Sequence, residues 1–241
     1  MNEVFKIKHL VDFRQCDRNK RIKNSTLSEI FSEIAGYQLL TFDLPYQKLI
    51  DNGLVFLLIG LSVEFSSEVN FEDEIEISTW ASGFDRLKFL RCFEVHKKDK
   101  KTPAVRAKSN WVLVNPETRK ILRPTDFPFT IPLLESKKFE DLEILKIQDK
   151  IGFHSAGLKI PRFSEIDANN HINNSNYSDI ALDYIPHEYA NRRVKSFRIN
   201  FIKETNLSDE LEIFVKTGEN FTQVYGVSDG KVRFESETVY F

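Results

Sequence analysis

The chain has 241 residues, of which 41% are hydrophobic and 29% are charged, as expected for a globular protein with one large or two small domains. Its formal net charge of −2 argues against general binding to nucleic acid. The longest apolar run, Leu54 to Leu61, is too short to cross a bilayer, so we expect no membrane insertion.

The first half of the chain predicts one helix followed by a sheet. Thr26 and Glu29 are placed as a capping box at the start of the helix. Its apolar face has helical spacing: Leu27, Ile30, Phe31 and Ile34. Alternating patterns then predict strands over 58–68, 74–82, 87–97, 104–114 and 119–123.

The second half predicts the same order of elements. Asn174 or Ser175 is a natural N-cap for its helix, and Pro186 ends it. The apolar face of this helix consists of Tyr177, Ile180, Ala181 and Tyr184. Strands are predicted over 194–204, 210–217, 220–227 and 231–240, with a hairpin turn at Asp229-Gly230.

The two halves are copies of one unit. Residues 13–30 match 163–180 at eight of 18 positions, and residues 63–77 match 199–213 at seven of 15. The offset falls from 150 to 136 between the blocks, so the first copy has 14 extra residues in or after its helix. We predict an α+β fold with two tandem units, each an antiparallel sheet wrapped around a helix.

A segment rich in proline and charge, residues 124–150, connects the two copies. Such a composition is typical of a connection across the protein surface. We place the boundary near residue 140, which gives an N-terminal domain of residues 1–140 and a C-terminal domain of residues 141–241.

The two copies differ in one side chain that titrates near neutral pH. His171 of the second copy corresponds to Arg21 of the first, and an arginine cannot act as a base near neutral pH. Glu204 corresponds to Glu68. A single catalytic centre would therefore belong to the second copy. Its candidate residues are Asp167, Asn169, His171 and Glu204.

These four residues can activate water and polarise a carbonyl if they converge at the start of the second helix. A plainer interpretation is also open. Asp167 and Asn169 would then be turn formers, His171 a satisfied polar residue and Glu204 a solvated charge at a strand end. The turn interpretation explains the loop better than it explains the histidine.

The pattern D-x-N-x-H-x-N-N at 167–174, followed by Lys203-Glu204, resembles the acyl-ACP thioesterase family of plants and bacteria. The first copy resembles the family's N-terminal half through EIEISTW (74–80) and SNWVLVNPETRKILRP (109–124). The resemblance implies a double hot-dog fold and hydrolysis of the thioester between a fatty acyl chain and acyl carrier protein. It implies no metal or organic cofactor.

The resemblance also implies catalytic roles for Asp167, Asn169, His171 and Glu204. Many members carry cysteine after the glutamate, but this chain has Thr205, so we do not expect a cysteine acyl-enzyme. We expect Glu204 and His171 to deprotonate a water. Asn169 and a backbone N–H at the start of the 175–185 helix would stabilise the oxyanion, and Asp167 would orient them.

Acyl carrier protein is acidic, so its docking needs positive charge near the site. The candidates are Arg192, Arg193, Lys195 and Arg198, which would otherwise only keep a loop and a strand edge soluble. Two cysteines and the lack of a secretory h-region predict a cytoplasmic location. A homodimer, an acyl-CoA thioesterase on the same fold and a non-catalytic acyl-binding module stay open.

Overall fold

The structure is a computed structural model that describes residues 3–144, 146–147 and 149–241. The first half contains β1 (Phe5–Leu10), α1 (Asn24–Thr41), α2 (Tyr46–Asp51), β2 (Val55–Phe65), β3 (Glu74–Asp85), β4 (Lys88–Lys97), β5 (Val105–Val114) and β6 (Ile121–Leu122). The second half contains β7 (His154–Lys159), α3 (Asn176–Asp183), α4 (His187–Ala190), β8 (Val194–Phe201), β9 (Leu211–Thr217), β10 (Phe221–Ser228) and β11 (Lys231–Tyr240).

One antiparallel sheet runs through both halves in the order β1-β3-β4-β5-β2-β8-β11-β10-β9-β7, with β6 paired to β5. The order of the second half mirrors that of the first. The two half-sheets join where β2 pairs with β8, and Ser62 lies opposite Arg198 in that pair. These two residues are also counterparts at the offset of 136, so a pseudo-two-fold axis passes between them.

The helices lie against the inner face of this sheet and against each other. The predicted apolar face of α1 is buried, and the ring of Phe31 stacks on Phe93 of β4 at 4.5 Å between centroids. Tyr177 and Ile180 of α3 are buried in the same core. Because α1 contacts α3, the two halves share one core, and replacing Phe31 by alanine would cost about 3–5 kcal/mol of stability.

The structure confirms the double hot-dog architecture and the nine predicted strands, with shifts of a few residues at their ends. The turn at Asp229-Gly230 is also confirmed, since both residues have positive φ, as a type I′ hairpin requires. The 14 extra residues lie mainly in α1, which has 18 residues against eight in α3.

Four short elements were missed: β1, β7, α2 and α4. The strand β1 does alternate apolar and charged residues, but over only six positions, and β7 is almost wholly exposed and shows little alternation. The predicted capping box was wrong. The helix begins two residues before Thr26, whose buried hydroxyl donates to Gln15 O at 3.1 Å. The strand predicted over 194–204 ends at Phe201.

The connection over 124–150 runs over the surface, as its composition predicts, and packs some apolar side chains against the sheet. Leu145 and Gln148 within it lie outside the described residues. Phe139 makes an edge contact with the ring of Trp80, on the sheet face opposite α1. Leu142 is buried, and Ile144 crosses Gly60, where a Cβ would lie 2.7 Å from its side chain. The domain boundary near residue 140 stays a prediction.

No helix among the described residues is long and apolar enough to span a membrane.

The carboxyl group of Asp179 on α3 makes stability depend on pH, because burial raises its pKa above the ordinary value. Above that raised pKa the folded protein holds a desolvated charge, and this cost disappears as the pH falls. We therefore expect Asp179→Asn to stabilise the protein by roughly 1 kcal/mol at neutral pH. The gain should shrink towards pH 4 in urea unfolding. A variant less stable at both pH values would contradict this account.

Candidate active site

The imidazole of His171 lies beside the carboxylate of Glu204. His171 Nε2 is 3.3 Å from Glu204 Oε2, and the two side chains are 21% and 44% exposed. An isolated β-bridge between His171 and Asn206 ties the histidine loop to the segment that follows β8. The fold thus brings together two groups that can bind and deprotonate a water molecule.

The loop before His171 is a tight turn organised by Asp167. Asp167 Oδ1 accepts a hydrogen bond from the backbone N of Asn169 at 2.8 Å, and Asp167 N donates to His171 O at 2.9 Å. Asn170 has a φ of 65°, which asparagine tolerates better than most residues. Residues 17–21 form the same turn in the first copy. The aspartate therefore has a structural role in both copies.

Asn169 does not reach the His–Glu pair in this structure. It is exposed, and its Nδ2 lies 3.5 Å from Asp167 Oδ2. Within the part of the chain that the structure describes, its side chain makes no hydrogen bond to His171 or Glu204. Contact between this amide and a substrate therefore requires the side chain to rotate.

The start of α3 differs in detail from the predicted cap. The N-cap position is Ser175, but its side chain makes no capping hydrogen bond. Asn173 Oδ1 instead accepts hydrogen bonds from Ser175 N at 3.0 Å and from Ser175 Oγ at 2.9 Å. The neighbouring asparagine thus stabilises the turn that leads into the helix.

Glu204 lies in a loop that is anchored by its backbone. The buried Arg233 donates from Nη1 to Glu204 O at 2.7 Å, and its Nη2 lies 3.4 Å from a carboxylate oxygen of Asp209. The next residue, Thr205, is fully buried, and its carbonyl accepts a hydrogen bond from Ile172 N at 2.9 Å. These contacts hold the backbone on both sides of the His–Glu pair while leaving the Glu204 side chain free to face solvent.

Arg119 is a site residue that the sequence analysis missed. Its Nη1 lies 3.6 Å from Glu204 Oε2, and its side chain is 79% exposed. Arg119 belongs to the first copy, in the turn between β5 and β6. Residue spacing within one copy gives no signal of a contact between the two copies.

The counterpart of His171 has become a structural clamp. Arg21 is 14% exposed, its Nε donates to Asp17 Oδ2 at 3.1 Å and its Nη1 donates to the backbone O of Arg192 at 2.9 Å. Nη1 also lies 3.8 Å from Glu68 Oε1. An Arg–Glu ion pair within the first copy therefore occupies the place of the His–Glu pair, and the arginine also joins the copies through its hydrogen bond to Arg192 O.

The four basic residues predicted for docking lie around this clamp and along β8. Arg193 Nε is 3.2 Å from Glu68 Oε1, and the guanidinium of Arg192 lies over an aromatic ring. Lys195 is exposed, whereas Arg198 lies in the middle of the β2–β8 pair. None of the four contacts His171 or Glu204 within the described residues. Their docking role stays a prediction.

Neither cysteine has the surroundings of an activated nucleophile. Burial, followed by the charges of Asp17 and Asp12, raises the pKa of the Cys16 thiol. Burial also raises the pKa of Cys92, which lies inside the first copy. A thiolate is thus disfavoured at both positions. Among the described residues, no group of three or more His, Cys, Asp or Glu side chains could hold a metal ion.

Each half of the fold encloses a cavity. The second-copy cavity is small, about 80 Å³, and is lined by Arg21 and Glu68 together with α3, β10 and β11. The first-copy cavity is larger, about 380 Å³, and lies between the two helices α1 and α2 and the strands β2 to β5. Its walls are mainly apolar, and Tyr37 and Tyr46 at its rim are exposed.

The pseudo-two-fold axis relates these two cavities to each other. In strand register, Thr222 and Tyr240 of the second-copy cavity are the counterparts of Arg91 and Trp111 of the first-copy cavity. The Arg21 loop lines the second-copy cavity. Among the described residues, those that line the first-copy cavity all belong to the first half of the chain, and the His171 loop is not one of them.

The fold and the site together define the class of this protein. It is a double hot-dog chain with a His–Glu pair in its second copy. A family model described as the acyl-ACP thioesterase N-terminal domain matches residues 2–127, and the C-terminal domain model matches residues 153–238. The chain therefore belongs to the acyl-ACP thioesterase family.

Individual relatives are distant. Oleoyl-acyl carrier protein thioesterase 2, chloroplastic, from Arabidopsis thaliana is 27% identical over 228 residues, 85% of this chain and 60% of the relative. The chain thus spans less than two thirds of that relative's length.

Two solved structures share the fold, each with a TM-score of 0.84. An acyl-ACP thioesterase from Bacteroides thetaiotaomicron has 23% identity, with coverage of 99% of this chain and 98% of that chain. The 12:0-ACP thioesterase from Umbellularia californica has 15% identity, with coverage of 100% and 98%.

The two counterpart positions should respond differently to the same substitution. Arg21→Ala removes charged hydrogen bonds that join the copies and should lower the free energy of unfolding by about 1.5–3 kcal/mol in urea titrations. Any thioester hydrolysis measured per folded molecule should be unchanged. His171→Ala should leave stability nearly unchanged. If folded Arg21→Ala lost its activity, the first-copy loop would have a part in the chemistry.

Proposed function

We propose that this chain hydrolyses the thioester of fatty acyl-[acyl carrier protein], which releases a free fatty acid and ends chain elongation in fatty acid biosynthesis. The observation that supports this proposal is the 3.3 Å contact between His171 Nε2 and Glu204 Oε2. The same position of the first copy holds an arginine instead. Family membership supplies the reaction class, and the pair supplies the groups that the reaction needs.

The proposed reaction is direct attack by water. Glu204 and His171 bind the water and accept its proton while its oxygen attacks the thioester carbonyl carbon. The carbonyl oxygen becomes an oxyanion, for which Asn169 and a backbone N–H near the start of α3 are the proposed donors. The C–S bond then breaks, and the phosphopantetheine sulfur leaves as a thiolate that takes up a proton.

The contacts favour Glu204 over Asp167 as the partner of the histidine. Asp167 Oδ1 and Oδ2 are engaged by the backbone and side chain of Asn169 within the turn. Glu204 Oε2 contacts the imidazole, and the carboxylate is open to solvent. Arg119 Nη1, at 3.6 Å, places a positive charge beside this carboxylate.

The first-copy cavity is the proposed place for the acyl chain. It is mainly apolar and larger than the second-copy cavity, which the Arg21 loop, the counterpart of the His171 loop, lines. Burial of each methylene contributes about 0.8 kcal/mol, so a long chain would gain substantial binding energy there. The first copy would then have exchanged catalysis for substrate binding.

The proposed location is the cytoplasm, which the two free thiols support because a reducing compartment preserves them. The description of the Arabidopsis thaliana relative contains the word chloroplastic. Acyl-CoA hydrolysis on the same fold is the alternative, and parallel assays with acyl-CoA decide between them.

Substitution of the pair should abolish turnover without unfolding the protein. Since general acid–base help contributes about 10² to 10⁴ in rate, Glu204→Gln and His171→Ala should each lower kcat on acyl-ACP by that factor. Release of free thiol measures the rate, and thermal unfolding checks the fold. Glu68→Gln, at the counterpart position of Glu204, is the matched control and should retain full activity. Retained turnover in either site variant would refute the mechanism.

Positive charge near Glu204 suggests a second docking surface for the acidic carrier protein. Exposed Lys203 precedes Glu204, and exposed Lys120 follows Arg119. Lys203→Glu and Lys120→Glu should raise the KM for acyl-ACP and weaken its dependence on salt, with little change in kcat. Lys195→Glu is the control, since Lys195 lies near the start of β8 and belongs to the docking residues predicted from the sequence. If only Lys195→Glu raised the KM, the docking surface predicted from the sequence would be the correct one.

A further inference from the structure

The wall of the first-copy cavity contains an arginine that has no acidic partner. Arg91 lies on β4 with its side chain on the same sheet face as Phe93, beneath α1, and the residue is only 7% exposed. Desolvation lowers its pKa to about 10. A buried charge is normally paired with an opposite charge. No carboxylate within the described residues forms an ion pair with Arg91.

The hydrogen bonds of Arg91 satisfy only one end of its guanidinium. Nη1 donates to the side-chain oxygen of Gln38 on α1 and to Thr79 Oγ1 on β3 at 3.1 Å. A guanidinium has five N–H donors, of which Nη1 supplies two. Nε and Nη2 have no hydrogen-bond partner within the described residues, while Arg91 lines the cavity. The charge and three donors are therefore available to a bound molecule.

The corresponding position of the second copy carries no charge. Thr222 is the counterpart of Arg91 in strand register, and its hydroxyl lies 3.0 Å from Tyr240 Oη. At this position the larger cavity has a cation, whereas the smaller one has a hydrogen-bonded neutral pair. A purely hydrocarbon chain would offer the free donors of Arg91 no acceptor.

Arg91 lies well away from β8, the strand that leads to Glu204. Between β4 and β8 the sheet has β5 and β2, so Arg91 is three strand spacings from β8, roughly 14 Å. Its contact with Thr79 on β3 draws the guanidinium farther away. A group that meets Arg91 would belong to the distal part of the acyl chain.

We propose that Arg91 selects acyl chains that carry an oxygen, as a hydroxyl, oxo or carboxylate group, in their distal half. The proposal rests on the proposed function, because it assumes that the acyl chain enters the first-copy cavity. The oxygen would accept hydrogen bonds from Nε and Nη2, and a terminal carboxylate would also pair with the charge. Arg91 is thus a specificity residue and takes no part in the chemical step.

The test compares matched acyl-ACPs of one length: hexadecanoyl, 3-hydroxyhexadecanoyl, a mid-chain hydroxy derivative, and the ω-hydroxy and ω-carboxy derivatives. The wild-type kcat/KM should be about tenfold higher for at least one distally oxygenated chain than for hexadecanoyl, the effect of one charged hydrogen bond. The 3-hydroxy derivative should show no such gain. Equal rates on all chains, or a preference for hexadecanoyl, would overturn the proposal.

Arg91→Met keeps the length of the side chain and removes its charge, and it should reverse the preference in favour of hexadecanoyl. A purely structural arginine would instead lower stability and reduce all rates in proportion. Arg106→Met, on the neighbouring strand β5, is the matched control and should keep the wild-type order. If Arg91→Met does not fold, the wild-type series alone decides.

Binding of the free fatty acids, measured by calorimetry, separates this proposal from the proposed function. Tighter binding of the distally oxygenated acid without any hydrolysis of acyl-ACP would refute the hydrolase and keep the role of Arg91. Hydrolysis of all chains without discrimination would keep the hydrolase and refute the role of Arg91.

Discussion

The antiparallel pairing of β2 with β8 is the contact on which the arrangement of the site depends. It joins two half-sheets into one and places the pseudo-two-fold axis between Ser62 and Arg198. The Arg21 loop thereby lines the cavity beside α3, β10 and β11 of the second copy. Under the proposed function, the His–Glu pair of the second copy and the apolar cavity of the first copy would act on the two ends of one substrate.

The two copies show how a duplicated unit can divide its roles through few substitutions. Both retain the aspartate turn and the glutamate after the central strand, at Asp17 and Glu68 in the first copy. Where the second copy holds a neutral or singly charged imidazole, the first holds a permanent cation whose hydrogen bonds cross to the other copy. Arg21 thus joins the halves, whereas His171 stays available for a substrate.

The interior of the first copy differs from that of the second. Its helix is longer, its cavity is larger, and Arg91 brings a charge into walls that are otherwise mainly apolar. The cost of keeping that guanidinium out of water is offset only in part by Gln38 and Thr79. A ligand that supplied the missing acceptor would offset the rest of this cost.

The sequence by itself determined the duplication, the antiparallel strands and the residue types of the site, because period-2 alternation and the repeated D-x-N block are local patterns. It also identified His171 as a candidate because the first copy has an arginine at that position. Glu204 was a candidate because it completes the polar set of the second copy, although the first copy retains a glutamate there. Only the tertiary structure decided which groups meet. Asn169 proved to be engaged by its own turn, Arg119 reached Glu204 from the other copy, and Arg193 of the predicted docking set fell beside Glu68. Contacts across the pseudo-two-fold axis depend on how strands from separate copies pair, and no spacing within one copy encodes that pairing.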